Sequence, residues 1–157
     1  MNIHDPAPMS VFDLVFVVSA VVFNLLIAGV YITSKHELVK ARKIMGTCVI
    51  FLVVPLTIIF IDYLIEGRPT KIILHFISIL VYIIVEFVLD FVLKIDFRSK
   101  RAMHIPYLVL FYFASFGFIG ISFSMDNTWG YVVSGSFWFV LASLAYLFTG
   151  KKKKVTE

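Results

Sequence analysis

The chain reads as an all-α polytopic membrane protein, a bundle of five transmembrane helices with the N-terminus outside and the C-terminus in the cytoplasm. Three observations lead there. Of 157 residues, 61% are hydrophobic and only 15% charged, and the mean hydropathy is +0.98. An ordinary soluble domain is about half apolar and a quarter charged, and must face much of its surface to water. Long runs lack Asp, Glu, Lys and Arg, and the basic residues between them fall almost wholly on alternate loops.

The uncharged runs are Leu14–Ser34, Ile44–Ile61, Ile72–Val85, Ala102–Met125 and Asn127–Gly150. A helix needs about 20 residues to cross the hydrocarbon core. Four runs have roughly that length, and the third reaches it only with Glu86 and Asp90 admitted into the membrane. The expected spans are residues 11–33, 44–65, 71–93, 105–124 and 129–149, a single integral membrane domain over 1–157. Twelve of the fourteen basic residues lie after spans one, three and five, including Lys151 to Lys154; Arg68 and Lys71 alone lie on the other side. The positive-inside rule sets the orientation from this bias. The cell (inner or plasma) membrane is the expected location.

Each span carries local signals. Ser10 and Asp13 resemble a capping box opening span one. Ala20, Asn24 and Ala28 form a small-residue face there, with Asn24 as an interhelical hydrogen-bonding group. Pro55 removes a backbone donor and should kink span two. Pro106 suits the first turn of span four, and Asp126-Asn127 can cap span five. Gly117, Gly120 and Ser124 line one side of span four, and Gly135, Ala142 and Ala145 one side of span five, where small residues let backbones approach. Tyr31, Tyr63, Tyr107, Trp129, Tyr131 and Tyr146 fall near span ends, as expected of interfacial belts.

Ionisable groups inside the membrane are the candidates for function. On an ideal helix, His75, Tyr82, Glu86 and Asp90 fall within about an 80° arc of span three. Lipid cannot satisfy such a stripe, so it must face protein or water. Depth counting puts Asn24, Tyr112 and Ser143 near Glu86 as an inner polar layer. Asp62 and His75 define an outer layer, with Glu66 one turn beyond Asp62. Those acids sit at the C-terminal end of span two, where the helix dipole disfavours negative charge, and His75, Arg68 or Lys71 are the expected partners. Each residue also has a plain role. Asp13 serves as a cap, Asp62, Glu66, Arg68 and Lys71 as a solvated rim, His75 as a packing residue, and Asp90 as a partner of Lys94 at i+4. Glu86 shares its depth with no basic residue.

Chemistry is otherwise sparse. Cys48 is the single cysteine, which excludes an intrachain disulfide. The four histidines, His4, His36, His75 and His104, do not gather on one side as a zinc site needs. No phosphate-binding glycine loop, HExxH or nucleophile elbow occurs, and no cofactor is expected. An Asp62/His75/Ser122 triad can be drawn, with very low specificity. The first segment lacks a basic start and is too long for a cleavable signal core. Expected partners are the lipid bilayer, anionic headgroups at the cytoplasmic face, and a membrane-protein partner or second copy; nucleic acid is not expected, since the basic residues serve topology. Three functions remain open: a structural or accessory membrane protein or subunit, a small transporter or proton or ion pathway through Glu86 and Asp90, and a lipid-active enzyme using Asp62, Glu66 and His75.

Overall fold

The computed structural model describes residues 9–93 and 101–149, with the side chains of 101–104 left undescribed. Among the described residues the protein is all-helical: α1 (Val11–Lys35), α2 (Val39–Phe51), α3 (Val53–Ile65), α4 (Thr70–Phe87) continuing into a π-helical turn (Val88–Val92), α5 (Arg101–Met125) and α6 (Asn127–Phe148). Five helices, counting α2 and α3 as one, are long and apolar enough to cross a membrane. Lys94, Arg98, Lys100 and the Lys151–Lys154 run lie outside the described residues, as does the expected Asp90–Lys94 pair.

α1 starts at the expected capping box: Ser10 Oγ accepts from the Asp13 amide at 3.0 Å, and the Asp13 carboxylate accepts from the Ser10 amide at 3.3 Å. It ends in a Schellman turn, with the Leu38 amide on the Thr33 carbonyl at 2.9 Å and Glu37 left-handed at φ 57°. α3 ends the same way, with the Arg68 amide on the Tyr63 carbonyl at 3.0 Å and Gly67 at φ 66°. The left-handed position favours glycine because a Cβ crowds the backbone there.

The second span is broken at Leu52, three residues before Pro55. Pro55 has no amide for the Phe51 carbonyl, and its ring crowds that carbonyl. The Leu52 amide falls back to Val49 at 3.2 Å and the ladder restarts at Leu56. Pro106 departs from expectation, because it lies inside α5 rather than in a first turn, with helix already described from Arg101. It removes one intrahelical bond, to the Ala102 carbonyl.

Helix directions alternate. The start of α1 meets the end of α3 through Asp13 and Tyr63, while the ends of α1 and α6 meet through Lys35. α1 is the central helix, half buried along its length, and packs on α6, α2, α3 and α5. Rings fill the centre. Phe16 lies 5.3 Å from Phe76 and 5.6 Å from Phe118, and Phe23 lies 4.9 Å from Phe118 and 5.7 Å from Tyr82. In a membrane such tight packing, rather than apolar burial alone, holds helices together.

The small residues of α5 divide: Gly117 is buried against α4, whereas Gly120 and Ser124 are exposed. A Cβ on Gly117 would stand 3.0 Å from the His75 carbonyl, and one on Gly120 3.7 Å from the His75 ring. On α1, Ala20 and Ala28 are fully buried. The expected packing side of α6 is not used: Gly135, Ala142 and Ala145 are exposed. The close glycine of α6 is instead Gly130, which receives the ring of Phe123.

Candidate functional site

The interior polar groups form three separate assemblies, one near each end of the bundle and one on the α1–α6 seam.

At the Asp13 end, the N3 carboxylate of α1 is 6% exposed and has more than a capping role. Tyr63 of α3 donates its hydroxyl to Asp13 at 2.7 Å, and Arg68 lies at 3.2 Å. Arg68 also binds Glu66 at 2.7 Å and lies 4.8 Å above the Tyr63 ring. Burial alone would lower the Arg68 pKa, but the Glu66 hydrogen bond and the Asp13 charge outweigh it and raise it. Arg68 therefore holds two carboxylates from two helices. The sequence named Arg68 as a counter-ion but did not reveal Asp13 as its partner, 55 residues away.

Asp62, Glu66 and His75 are not joined to one another. No hydrogen bond or ion pair links them among the described residues. Asp62 holds a buried carboxylate oxygen with no hydrogen-bond partner, and so does the Ser122 hydroxyl, so the drawn triad is not assembled. His75 Nδ1 lies 2.6 Å from the Lys71 carbonyl. A carbonyl only accepts, so Nδ1 donates, and Nε2 takes no part in that bond.

The α4 stripe divides. Tyr82 is fully buried and Glu86 is 5% exposed, whereas His75 is exposed and Asp90 half-buried. The π turn that holds Asp90 closes through the Leu93 amide on the Val88 carbonyl at 2.8 Å. A π turn is wider than an α turn, so Asp90 does not keep the angular position of an ideal helix. Tyr82 shares a hydrogen bond of 2.8 Å with Tyr107 of α5 and lies within electrostatic reach of Glu86 and of Tyr31 on α1. Tyr31, Tyr82, Glu86 and Tyr107 thus form a second assembly drawn from three helices. Tyr107 is buried, as is Tyr63; both face inward rather than toward an interfacial belt.

The third assembly is the α1–α6 seam. Asn24, 1% exposed, donates to Ser136 Oγ at 2.7 Å and to the Val133 carbonyl at 3.4 Å. That is the interhelical bond the sequence leads one to expect, with a partner it did not name. Ser143 turns to the Phe139 carbonyl at 2.8 Å, and Tyr112 packs its ring against Phe111 and Phe137. Asn24, Tyr112 and Ser143 therefore do not bond to one another as a layer.

At the Lys35 end of the same seam, Lys35 Nζ donates to the Tyr146 and Thr149 carbonyls, both at 2.7 Å. It also lies 3.4 Å above the Tyr146 ring. Lys35 is thus a cap on the last carbonyls of α6, where the helix dipole favours a cation. Among the described residues no group of three or more His, Cys, Asp and Glu side chains is placed to hold a metal ion. Compared with protein families, curated proteins and solved structures, the chain matches none.

Proposed function

We propose that the protein is a structural or accessory component of a cell membrane, oriented N-terminus out and C-terminus in, and a subunit of a larger membrane assembly. One observation carries this reading. The rings of Phe16, Phe23, Phe76 and Phe118, all fully buried, fill the space between the Asp13–Tyr63–Arg68 network and the Tyr82–Glu86–Tyr107 assembly. Polar groups isolated by packed rings serve helix association better than passage of ions or protons. The outer faces support a partner: the second span and α6 bury little of their length within the chain, leaving them free for lipid or another protein. The basic loops and the terminal lysines support the orientation and contact with anionic headgroups at the cytoplasmic face.

Native mass spectrometry of the gently extracted protein tests the role directly, and a copurifying subunit is the expected result. Glu86→Leu should leave the folded protein intact, and loss of folding would count against a packing role for the stripe. The orientation is tested in a Cys48→Ser background: Asn127→Cys should react with an impermeant maleimide from outside, and Glu37→Cys should not.

A second reading, a small transporter or proton or ion pathway through Glu86 and Asp90, draws on one feature. The π turn begins two residues after Glu86 and holds Asp90, and such turns are frequent at functional sites. Reconstituted vesicles decide between the two. A pH- or ion-driven flux abolished by Glu86→Gln supports the pathway, and no flux in the wild type supports the accessory role.

A further inference from the structure

A groove of about 290 Å³ opens between α4 and α5 at the Asp13 end of the bundle. Its walls are almost wholly apolar, with Pro69, Ile72, Gly120 and Ile121 among the lining residues, and Lys71, His75 and Ser124 also border it. Gly120 creates the space, since its missing side chain would point at the His75 ring. The groove begins where the third span begins, so it lies at a membrane–water boundary whichever side that boundary faces.

Its charge is one-sided. No acidic side chain lines it. The neighbouring cation, Arg68, is held by Asp13 and Glu66, whereas Lys71 takes part in no ion pair among the described residues. His75 is oriented as well as exposed: with Nδ1 committed to the Lys71 carbonyl, Nε2 is the ring nitrogen left to meet a headgroup hydroxyl. The Ser124 hydroxyl donates to the Ile121 carbonyl at 2.6 Å, which leaves its oxygen as an acceptor. An ammonium for a phosphate, an imidazole nitrogen and a serine oxygen for hydroxyls, and an apolar cleft for a chain together describe one kind of occupant.

We propose that the groove binds an anionic phospholipid with a hydroxyl-bearing headgroup, Lys71 taking the phosphate, His75 and Ser124 the headgroup hydroxyls, and the Ile72–Gly120–Ile121 cleft the upper acyl chain. The site differs in place and residues from headgroup contact by the basic loops, and it does not rest on the accessory role. A transporter or a scaffold would hold this lipid equally well.

The test is native mass spectrometry of the delipidated full-length protein in detergent, titrated separately with phosphatidylglycerol, phosphatidylcholine and inorganic phosphate. Phosphatidylglycerol should be retained in preference to phosphatidylcholine. Lys71→Gln should weaken its binding about tenfold, the scale of one charge-assisted hydrogen bond. Ser124→Phe, at an exposed position, should block the groove without disturbing the core. His75→Ala should narrow the preference for phosphatidylglycerol over phosphatidylcholine. Unchanged phosphatidylglycerol binding in both Lys71→Gln and Ser124→Phe would overturn the site. Inorganic phosphate binding as tightly as the lipid would overturn the lipid assignment.

Discussion

The Tyr63 hydroxyl reaches the Asp13 carboxylate at 2.7 Å, tying the first turn of α1 to the last turn of α3. The carboxylate is at once a helix cap, the acceptor of a buried phenol and the partner of Arg68. Removing one member strands the others, and a buried polar group left unpaired is costlier than a hydrogen bond is favourable. Tyr63→Phe should therefore lower unfolding stability in detergent by about 1–2 kcal/mol. Asp13→Asn combined with it should cost less than the sum of the two single changes, because the residues share one network. Additive effects in that double-mutant cycle would show that the bond contributes nothing of its own.

The two Schellman turns make a matched pair. Gly67 and Glu37 occupy the same left-handed position after α3 and α1, but only one of them is glycine. Glu37→Gly should stabilise the protein by about 1 kcal/mol, and Gly67→Ala should destabilise it by a similar amount. No neighbouring atom lies within 4 Å of a Cβ at Gly67, so the second effect reports backbone strain alone. Thermal unfolding of both variants in one detergent checks the opposed signs.

The five spans were legible in the sequence because span length and charge alternation need no knowledge of contacts. Capping at Ser10 and Asp126 and the break before Pro55 were legible for the same reason: each is written in a few consecutive residues. What could not be read is which way a ring points. Tyr63 and Tyr107 sit near span ends, and a belt residue and an inward phenol look alike in one dimension; only the positions of α1, α4 and α5 distinguish them. The π turn after Phe87 moved Asp90 off its calculated angle, and nothing in Val88–Val92 marks such a turn. Gly135, Ala142 and Ala145 have the spacing of a packing face, yet α6 presents another face to α1.

A pH dependence follows from the cap on α6. Hydrogen bonds from the Thr128 side chain and backbone hold the Asp126 carboxyl below its ordinary value of 3.8. A depressed acid favours the folded state above the ordinary value, and that contribution fades as the pH falls through the folded pKa. Amide exchange at Thr128 and Gly130 should accelerate as the pH is lowered through that range, relative to amides in the middle of α6. Asp126→Asn keeps a capping side chain and should remove the extra acceleration. Equal acceleration in that variant would mean that another acid governs the end of the helix.

The α4–α5 seam is tight against an added methyl at one glycine and open to one at the next. A Cβ at Gly117 would stand 3.0 Å from the His75 carbonyl, 3.2 Å from Ser78 Oγ and 3.3 Å from Ile79, whereas at Gly120 the nearest atoms lie at 3.7 Å. The carbonyl belongs to the α4 backbone and cannot turn aside, so Gly117→Ala must shift the two helices by a few tenths of an ångström. Overpacking of that kind costs about 1–3 kcal/mol, while Gly120→Ala makes ordinary contact with the His75 ring and should cost little. The displacement would also pull Tyr107 from Tyr82, since both phenols depend on the same seam. Gly117→Ala should therefore melt earlier and lose coupling between Tyr82→Phe and Tyr107→Phe in a double-mutant cycle, a pairing that Gly120→Ala keeps. Equal melting of the two alanine variants would mean that α4 and α5 are held less closely than the His75 carbonyl contact requires.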